Sequence, residues 1–243
     1  MNFKKIFSNK NNSSVIKAVN NYISAGPITI KRMEEIIKKR TKVTDREFDK
    51  GYKLIKKYPR SVSILGSARF KEDNEYYKQA RSLGYRIAKE LKYAVVTGGG
   101  PGIMEAANRG AFEGEGVSLG FTIKLPKEQG TNKYVTEFAE FEYFFSRKTI
   151  LFFSAETYIY YPGGFGTLDE FFEIVTLIQT KKIPKVPVVL VGKEFWEPLL
   201  NLIKEELYED NSTINKDDME LYKIVDSEDE ILEIIKRAPY RQE

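Results

Sequence analysis

The chain has 243 residues, of which 42% are hydrophobic and 30% are charged, a composition typical of a soluble globular protein of one or two domains. It contains no cysteine and no histidine. Disulfide frameworks, thiolate nucleophiles, Cys- or His-based metal sites and Ser-His-Asp hydrolases are therefore excluded. Any chemistry must use carboxylates, Lys and Arg, hydroxyls, amides and the backbone.

The charge is distributed unevenly along the chain. Residues 1–60 have a clear excess of Lys and Arg, whereas residues 61–243 are net acidic. We expect a solvated helical face in the basic part rather than a nucleic-acid site, because no aromatic residues interleave the basic ones. No apolar stretch approaches the roughly 20 residues of a membrane span, and no signal-peptide core follows the basic start. These features favour a cytoplasmic protein.

Residues 1–60 are predicted to form a helical N-terminal extension. Apolar residues recur near helical spacing in segments 15–23, 33–40 and 44–58, and Gly26-Pro27 separates the first segment from the second. The character of the sequence changes at Ser61, which we take as the start of a second domain, residues 61–243.

From Ser61 onward, short apolar segments alternate with amphipathic ones. The pattern predicts strands at 61–67, 93–97, 117–123, 138–145, 157–161, 186–191 and 221–225, and helices at 74–91, 103–112, 146–155, 167–179, 195–207 and 227–236. Strands that alternate with helices of this length predict an α/β fold, a doubly wound parallel sheet with helices on both faces.

Two glycine-rich loops each join a predicted strand end to a predicted helix start, at residues 98–102 and 162–166. Such loops present free N–H groups and the positive end of a helix dipole to an anion. In a parallel sheet both would lie at the carboxyl edge, where ligands bind. Two such loops in one sheet indicate a phosphorylated ligand, although tight turns alone would also use glycine.

Neither loop is a standard nucleotide motif. The first fails the dinucleotide pattern GxGxxG, because Ile103 stands where the third glycine should be. The ATPase loop is also absent from the sequence, since Gly192-Lys193 is followed by Glu194 instead of Ser or Thr.

Longer strings carry a more specific resemblance. GGGPGIMEAANRGA at residues 98–111 and PGGFGTLDE at 162–170, preceded by Arg147-Lys148, are similar to the LOG (Lonely Guy) family of cytokinin riboside 5'-monophosphate phosphoribohydrolases, often labelled lysine decarboxylases. GSAR at 66–69 and TLIQTKKI at 176–183 resemble the longer bacterial members, so the likeness covers residues 60–237. Pro101 replaces the serine of the plant enzymes, which leaves the base preference open.

The resemblance implies a Rossmann-like enzyme, without metal or cofactor, that hydrolyses the N-glycosidic bond of a nucleoside 5'-monophosphate. AMP or an N6-modified AMP would yield free base and ribose 5-phosphate. The implied catalytic residues are Arg147 and Glu170, and the implied phosphate-binding residues are Gly163, Gly164, Gly166 and Thr167. Relatives form homo-oligomers, so we expect a dimer or a larger assembly.

Further residues are expected to border the substrate. They lie at the end of the first strand, in or just after the first glycine loop, in a loop that approaches the substrate in relatives, and next to Arg147. They are Ser67, Arg69, Gly99, Gly100, Glu105, Glu128, Gln129 and Lys148. The aromatic residues at 141–145 and 158–161 are expected in the core and a subunit interface rather than in a base-stacking platform.

Alternatives remain open. Thr167 and Glu170 have the spacing of a capping box, in which Glu170 would fold back on its own helix start. A non-catalytic carrier of a nucleotide or of molybdenum cofactor could use the same fold and loops. A lysine decarboxylase is disfavoured, because no lysine stands out as the Schiff-base partner that pyridoxal phosphate needs.

Overall fold

The computed structural model describes residues 28–125 and 130–240. The chain divides into two compact units, Met1–Val43 and Thr44–Glu243. The division falls inside helix α1, Ile30–Lys56. Segments 33–40 and 44–58, predicted as separate, share this helix because neither Gly nor Pro stands between them. Segment 15–23 lies outside the described residues, and the division into a helical extension, residues 1–60, and a nucleotide-binding catalytic domain, residues 61–243, stays a prediction.

The second unit contains a seven-stranded sheet in which every neighbouring pair is parallel. The strand order is β4-β3-β2-β1-β5-β6-β7. In chain order the strands are β1 Ser61–Leu65, β2 Ala94–Thr97, β3 Ser118–Ile123, β4 Glu137–Phe141, β5 Thr157–Tyr160, β6 Val188–Leu190 and β7 Lys223–Ile224. The predicted doubly wound α/β fold is confirmed.

Helices connect β1 to β2, β2 to β3, β4 to β5, β5 to β6 and β6 to β7, and a last helix follows β7. They are α2 Glu75–Arg86, α3 Ile103–Glu113, α4 Phe144–Phe152, α5 Phe165–Gln179, α6 Lys193–Leu202 and α7 Glu228–Arg237. Two of them continue as π-helical turns, Ile87–Leu91 after α2 and Ile203–Asp210 after α6, and a 3-10 turn covers Lys216–Glu220. Asn74 begins α2 by accepting a hydrogen bond of 2.9 Å from the backbone N–H of Tyr76.

The predicted boundaries shift where loops of the site begin. The first strand ends at Leu65 rather than Ser67, and the fourth ends at Phe141 because α4 already begins at Phe144. Helix α5 begins at Phe165, two residues before the predicted start. Glycines at 163 and 164 complete the turn from β5, so the chain enters the helix immediately after them.

Two apolar layers enclose the sheet, and β5 shows how one strand supplies both. Tyr158 and Tyr160 pack into the layer that contains Phe171 and Trp196, whereas Ile159 and Tyr161 pack into the opposite layer. This alternation follows from the two-residue period of a strand. The prediction that the aromatic residues of this strand belong to the core is confirmed, since each of them is fully buried.

The strand order places a ligand crevice at the centre of the sheet. β1 pairs with β2 on one side and with β5 on the other. The chain therefore leaves β1 and β5 in opposite directions across the sheet, which opens a crevice beyond their carboxyl ends. No helix within residues 28–125 and 130–240 has the length and apolar character to cross a bilayer.

Candidate active site

An open cleft of about 870 Å³ lies at this crevice. It is bordered by the segments that follow β1, β2 and β5 and by the adjoining parts of α4 and α5. Eight of the residues predicted for the site line it, namely Ser67, Arg69, Arg147, Gly163, Gly164, Gly166, Thr167 and Glu170. Its volume falls in the range of small-molecule sites, roughly 300 to 1,000 Å³.

The start of α5 at the edge of the cleft has features that suit an anion. Gly164 occupies the position before the helix, and no side chain caps the first turn. The first backbone N–H groups of a helix have no partner within it, and the helix dipole makes this end positive. A Cβ at Gly164 or Gly166 would meet no protein atom within 4 Å, so these glycines leave open space beside those N–H groups.

Gly163 differs from its neighbours because the protein itself requires a glycine there. A Cβ at this position would lie 2.1 Å from Oγ1 of Thr167 and 3.0 Å from the backbone nitrogen of Ser67. The Ser67 N–H also donates a hydrogen bond of 3.0 Å to the carbonyl of Pro162. The turn after β5 is therefore packed tightly against the segment after β1.

This contrast gives a paired prediction. Gly163→Ala should lower the free energy of unfolding by about 1 to 3 kcal/mol, because the new methyl group overpacks the turn. Gly164→Ala should leave stability unchanged and weaken phosphate binding, because its methyl group enters only the open space. Thermal unfolding and calorimetric titration with ribose 5-phosphate measure both effects. Equal loss of stability in the two variants would contradict the packing argument.

Arg147 and Glu170 form an ion pair at the cleft. Nη1 of Arg147 on α4 lies 3.3 Å from Oε1 of Glu170 on α5, and the two side chains are only 9% and 15% exposed. Nε of Arg147 donates a hydrogen bond of 2.7 Å to the carbonyl of Phe121 on β3. A Cβ at Gly98 would lie 2.3 Å from Nη2 of Arg147, so the first glycine loop makes room for the guanidinium.

The capping-box alternative for Glu170 is wrong. Thr167 is the third residue of α5 and not the residue before it, and the Glu170 carboxylate pairs with Arg147. Burial raises the pKa of the Glu170 carboxyl, and the charge of Arg147 only partly opposes this rise. A largely buried carboxyl group with a raised pKa in a cleft is a frequent mark of a functional group.

A buried amide network fixes the first glycine loop, and sequence reasoning missed it. Asn108 of α3 accepts hydrogen bonds from Oγ1 of Thr97 at 2.6 Å and from Nδ2 of Asn132 at 2.9 Å, and its own Nδ2 donates to Oγ of Ser118 at 2.8 Å. Asn132 also donates to the carbonyl of Gly100. The signal was an asparagine among small residues in ANRGA, where a buried polar side chain must find partners.

Ser67 connects the two glycine loops through its backbone. Its carbonyl accepts a hydrogen bond of 3.0 Å from the N–H of Ile103, the first residue of α3. A Cβ at Gly102, whose φ is +72°, would lie 2.3 Å from this carbonyl oxygen. Oγ of Ser67 accepts a hydrogen bond from the backbone N–H of Arg69. The segment after β1 thus holds both loops at one edge.

Four of the other predicted residues, Gly99, Gly100, Glu105 and Lys148, are not among the residues that line the cleft. Glu105 accepts a hydrogen bond of 3.2 Å from the Tyr77 hydroxyl. Gly99 and Gly100 belong to the loop that Asn132 fastens. Lys148 pairs with Asp169 at 3.0 Å and with Glu173, both on α5. Glu128 and Gln129 lie outside the described residues.

Exposed phenylalanines form the rim of the cleft. Phe165 is 93% exposed at the first position of α5, and Phe144 and Phe195 are also exposed. All three line the cleft, together with Phe70. Phe141 is buried as predicted, whereas Phe144 and Phe145 project outward because α4 starts there and turns its first residues away from the core.

Comparisons with known proteins identify a family and related enzymes. A family model described as "Possible lysine decarboxylase" matches residues 104–235, more than half of the chain. The cytokinin riboside 5'-monophosphate phosphoribohydrolase of Rhodococcoides fascians is 28% identical over 62% of this chain and 77% of its own length. The enzyme of the same activity named LOG, from Oryza sativa subsp. japonica, is 29% identical over 60% of this chain and 61% of its own length.

A solved structure shares the fold. The molybdenum cofactor binding protein of Rippkaea orientalis superposes with a TM-score of 0.52 at 24% identity, and the match covers 72% of this chain and 93% of that one. At this identity the likeness concerns the fold alone. The family model includes the stretch that carries Arg147, the second glycine loop and Glu170, and the relatives are named as phosphoribohydrolases of the LOG type, so the chain belongs to the LOG family.

Proposed function

We propose that the chain hydrolyses the N-glycosidic bond of a nucleoside 5'-monophosphate and releases the free base and ribose 5-phosphate. The observation that supports this most strongly is the largely buried Arg147–Glu170 ion pair beside the uncapped start of α5. One end of the cleft offers N–H groups to a phosphate, and the other offers a carboxylate to a sugar. The names of the relatives supply the same reaction class.

The geometry of α5 sets the distance between the proposed phosphate position and the Glu170 carboxylate. Glu170 lies four residues after Gly166 and three after Thr167, so it is a neighbour of both on the surface of the helix. Glu170 lies about 7.5 Å along the axis from Phe165, and helical side chains lean back toward the N-terminus. A sugar attached to a phosphate at the helix start would therefore lie beside the Glu170 carboxylate.

The chemistry suits a carboxylate at that place. When the bond between C1' and the base nitrogen breaks, positive charge develops on the sugar, as in glycoside hydrolysis. An ionised Glu170 attracts this charge more strongly in the transition state than in the ground state. The water oxygen bonds to C1', and one of its protons is transferred overall to the departing base. Arg147 keeps the carboxylate ionised and oriented.

We propose AMP or an N6-modified AMP as the substrate. The phenylalanine rim, with Phe144 and Phe165 exposed at the cleft, offers the apolar surface on which a purine and an apolar N6 substituent can pack. We also propose that the protein works as a homo-oligomer of two or more copies, because exposed aromatic residues outside the cleft, such as Phe138 and Phe153, favour association. Light scattering should then give a mass above the 28.1 kDa of one chain.

Lysine decarboxylation fits the site poorly. A Schiff-base lysine needs a lowered pKa, so that its amine is neutral. Burial lowers the pKa of Lys148, but its ion pairs with Glu173 and Asp169 outweigh burial and raise it. The lysine beside the candidate catalytic arginine is thus held as a cation by two carboxylates.

The function is tested by incubating the protein with AMP, N6-isopentenyl-AMP, GMP and CMP, and by following free base and ribose 5-phosphate by chromatography. We expect base release from at least one purine monophosphate and none from adenosine, which lacks the phosphate that the α5 start would bind. Retention of nucleotide without base release would overturn the hydrolase proposal and favour a carrier.

A further inference from the structure

Helix α4, which carries Arg147, begins without a cap of its own. Tyr143 stands before the first turn and makes no capping hydrogen bond through its side chain, and the first turn contains no acidic residue. The helix also has Arg147 and Lys148 close to its N-terminus, where the dipole disfavours positive charge. By local preference this helix start should be unstable, although the proposed reaction needs Arg147 to be held in place.

The missing negative charge comes from a distant part of the chain. Glu47 of α1 is only 5% exposed. Its carboxylate accepts hydrogen bonds from the backbone N–H of Glu142 and from the hydroxyl of Ser146, one on each side of the start of α4. The residue before Arg147 is therefore bound directly to Glu47.

The packing of α1 on α4 supports this contact. A Cβ at Gly51 would lie 2.6 Å from Cγ1 of Ile150, so the two helices approach closely at this point. Glu47 and Gly51 are four residues apart on one face of α1, as Ser146 and Ile150 are on α4. Gly51 therefore permits the close approach of the two helices that brings the Glu47 carboxylate to the start of α4.

We infer that Glu47 is a positioning residue that fastens the start of α4 through Glu142 and Ser146 and thereby holds Arg147 against Glu170. It acts through Ser146 and the first turn of α4. Residues 44–56 of α1 are then a functional part of the site, although they lie outside the segment that the family model matches. The expected effect of Glu47 on kcat rests on the proposed function. Its expected effect on the position of Arg147 rests on the geometry alone.

The kinetic test compares Glu47→Ala with Glu47→Gln and with Leu54→Ala. A displaced Arg147 should lower kcat for AMP by about 10- to 100-fold in Glu47→Ala, since small misplacements of catalytic groups have effects of this size. KM should change little, because the proposed phosphate site is on α5. Glu47→Gln loses the charge but keeps an oxygen that can accept from the N–H of Glu142. Its NH2 group can donate to Oγ of Ser146, whose hydroxyl can donate to the carbonyl of Tyr143, so kcat should lie between those of wild type and Glu47→Ala. Leu54, buried on the same helix, is the control for lost stability alone.

The structural test does not depend on turnover. In a crystal structure of Glu47→Ala, the Arg147 guanidinium should lie beyond hydrogen-bond distance from Glu170, whereas Leu54→Ala should retain the pair. An intact pair in Glu47→Ala, or a kcat no lower than that of Leu54→Ala at equal folded fraction, would overturn the inference. If the wild-type protein released no base, the hydrolase proposal would fail, and the crystal structures would still decide the role of Glu47.

Discussion

Glu170→Gln should lower kcat for nucleoside monophosphate hydrolysis by about 10²- to 10³-fold, the usual effect of removing one electrostatic group from a transition state. The amide keeps the size of the carboxyl but has no charge to attract the developing sugar cation. Phosphate binding should persist, because Gly164 and the start of α5 are unchanged. Steady-state kinetics with AMP and calorimetric titration with ribose 5-phosphate measure these two consequences.

The same variant should be at least as stable as the wild type. Since burial raises the pKa of Glu170, the folded protein binds its proton more tightly than the unfolded chain does, and the ionised carboxylate costs stability at neutral pH. The neutral amide removes this cost. Asp169→Asn on the exposed side of α5 is the matched control and should retain near-normal kcat. Near-normal turnover in Glu170→Gln would show that another group performs the chemistry.

Arg147→Met should also reduce kcat by about 100-fold at neutral pH. Arg147 is the main group that opposes the effect of burial on the Glu170 carboxyl. Without it the pKa of Glu170 should rise further, so a smaller fraction is ionised at neutral pH. The acid limb of the pH–kcat profile should therefore move to higher pH, and activity should partly recover as the pH rises.

The pH dependence of stability provides an independent check on this variant. A protein in which folding raises the pKa of a carboxyl group becomes less stable as the pH increases through that pKa. The melting temperature of Arg147→Met, relative to wild type, should therefore be lower at pH 8 than at pH 5. Lys148→Met is the control, because Lys148 pairs with Asp169 and Glu173 and lowers the pKa of Glu170 less than Arg147 does. An unshifted acid limb would contradict the role of Arg147 as the partner of Glu170.

Much of the fold follows from the sequence because its signals are local. Each predicted strand from Ser61 onward is present, and the glycine loops at 98–102 and 162–166 lie at one edge of the sheet. The boundaries differ most at the site. Helix α5 begins at Phe165, after Gly164, rather than at the predicted Thr167. A glycine can take the position before a helix in place of a polar capping residue.

What the sequence could not supply are contacts between distant segments. In the sequence Glu47 is one more charge in a basic predicted helix. In the structure it is buried against α4, whose Ser146 lies about a hundred residues further along the chain. Asn132 lies in a loop without a motif and fastens Gly100 through its amide. Lys148 reads as a companion of Arg147, but adjacent residues on a helix point in different directions. Such roles depend on packing that no local pattern encodes.

The central claim is that a phosphate at the start of α5 places the sugar carbon against Glu170. It is tested most directly by a crystal structure of the Glu170→Gln variant with AMP. We expect phosphate oxygens at about 2.7 to 3.2 Å from the backbone nitrogens of Gly164, Phe165 or Gly166, and C1' facing the side chain at position 170. A phosphate bound elsewhere, or a ribose turned away from that side chain, would contradict the claim.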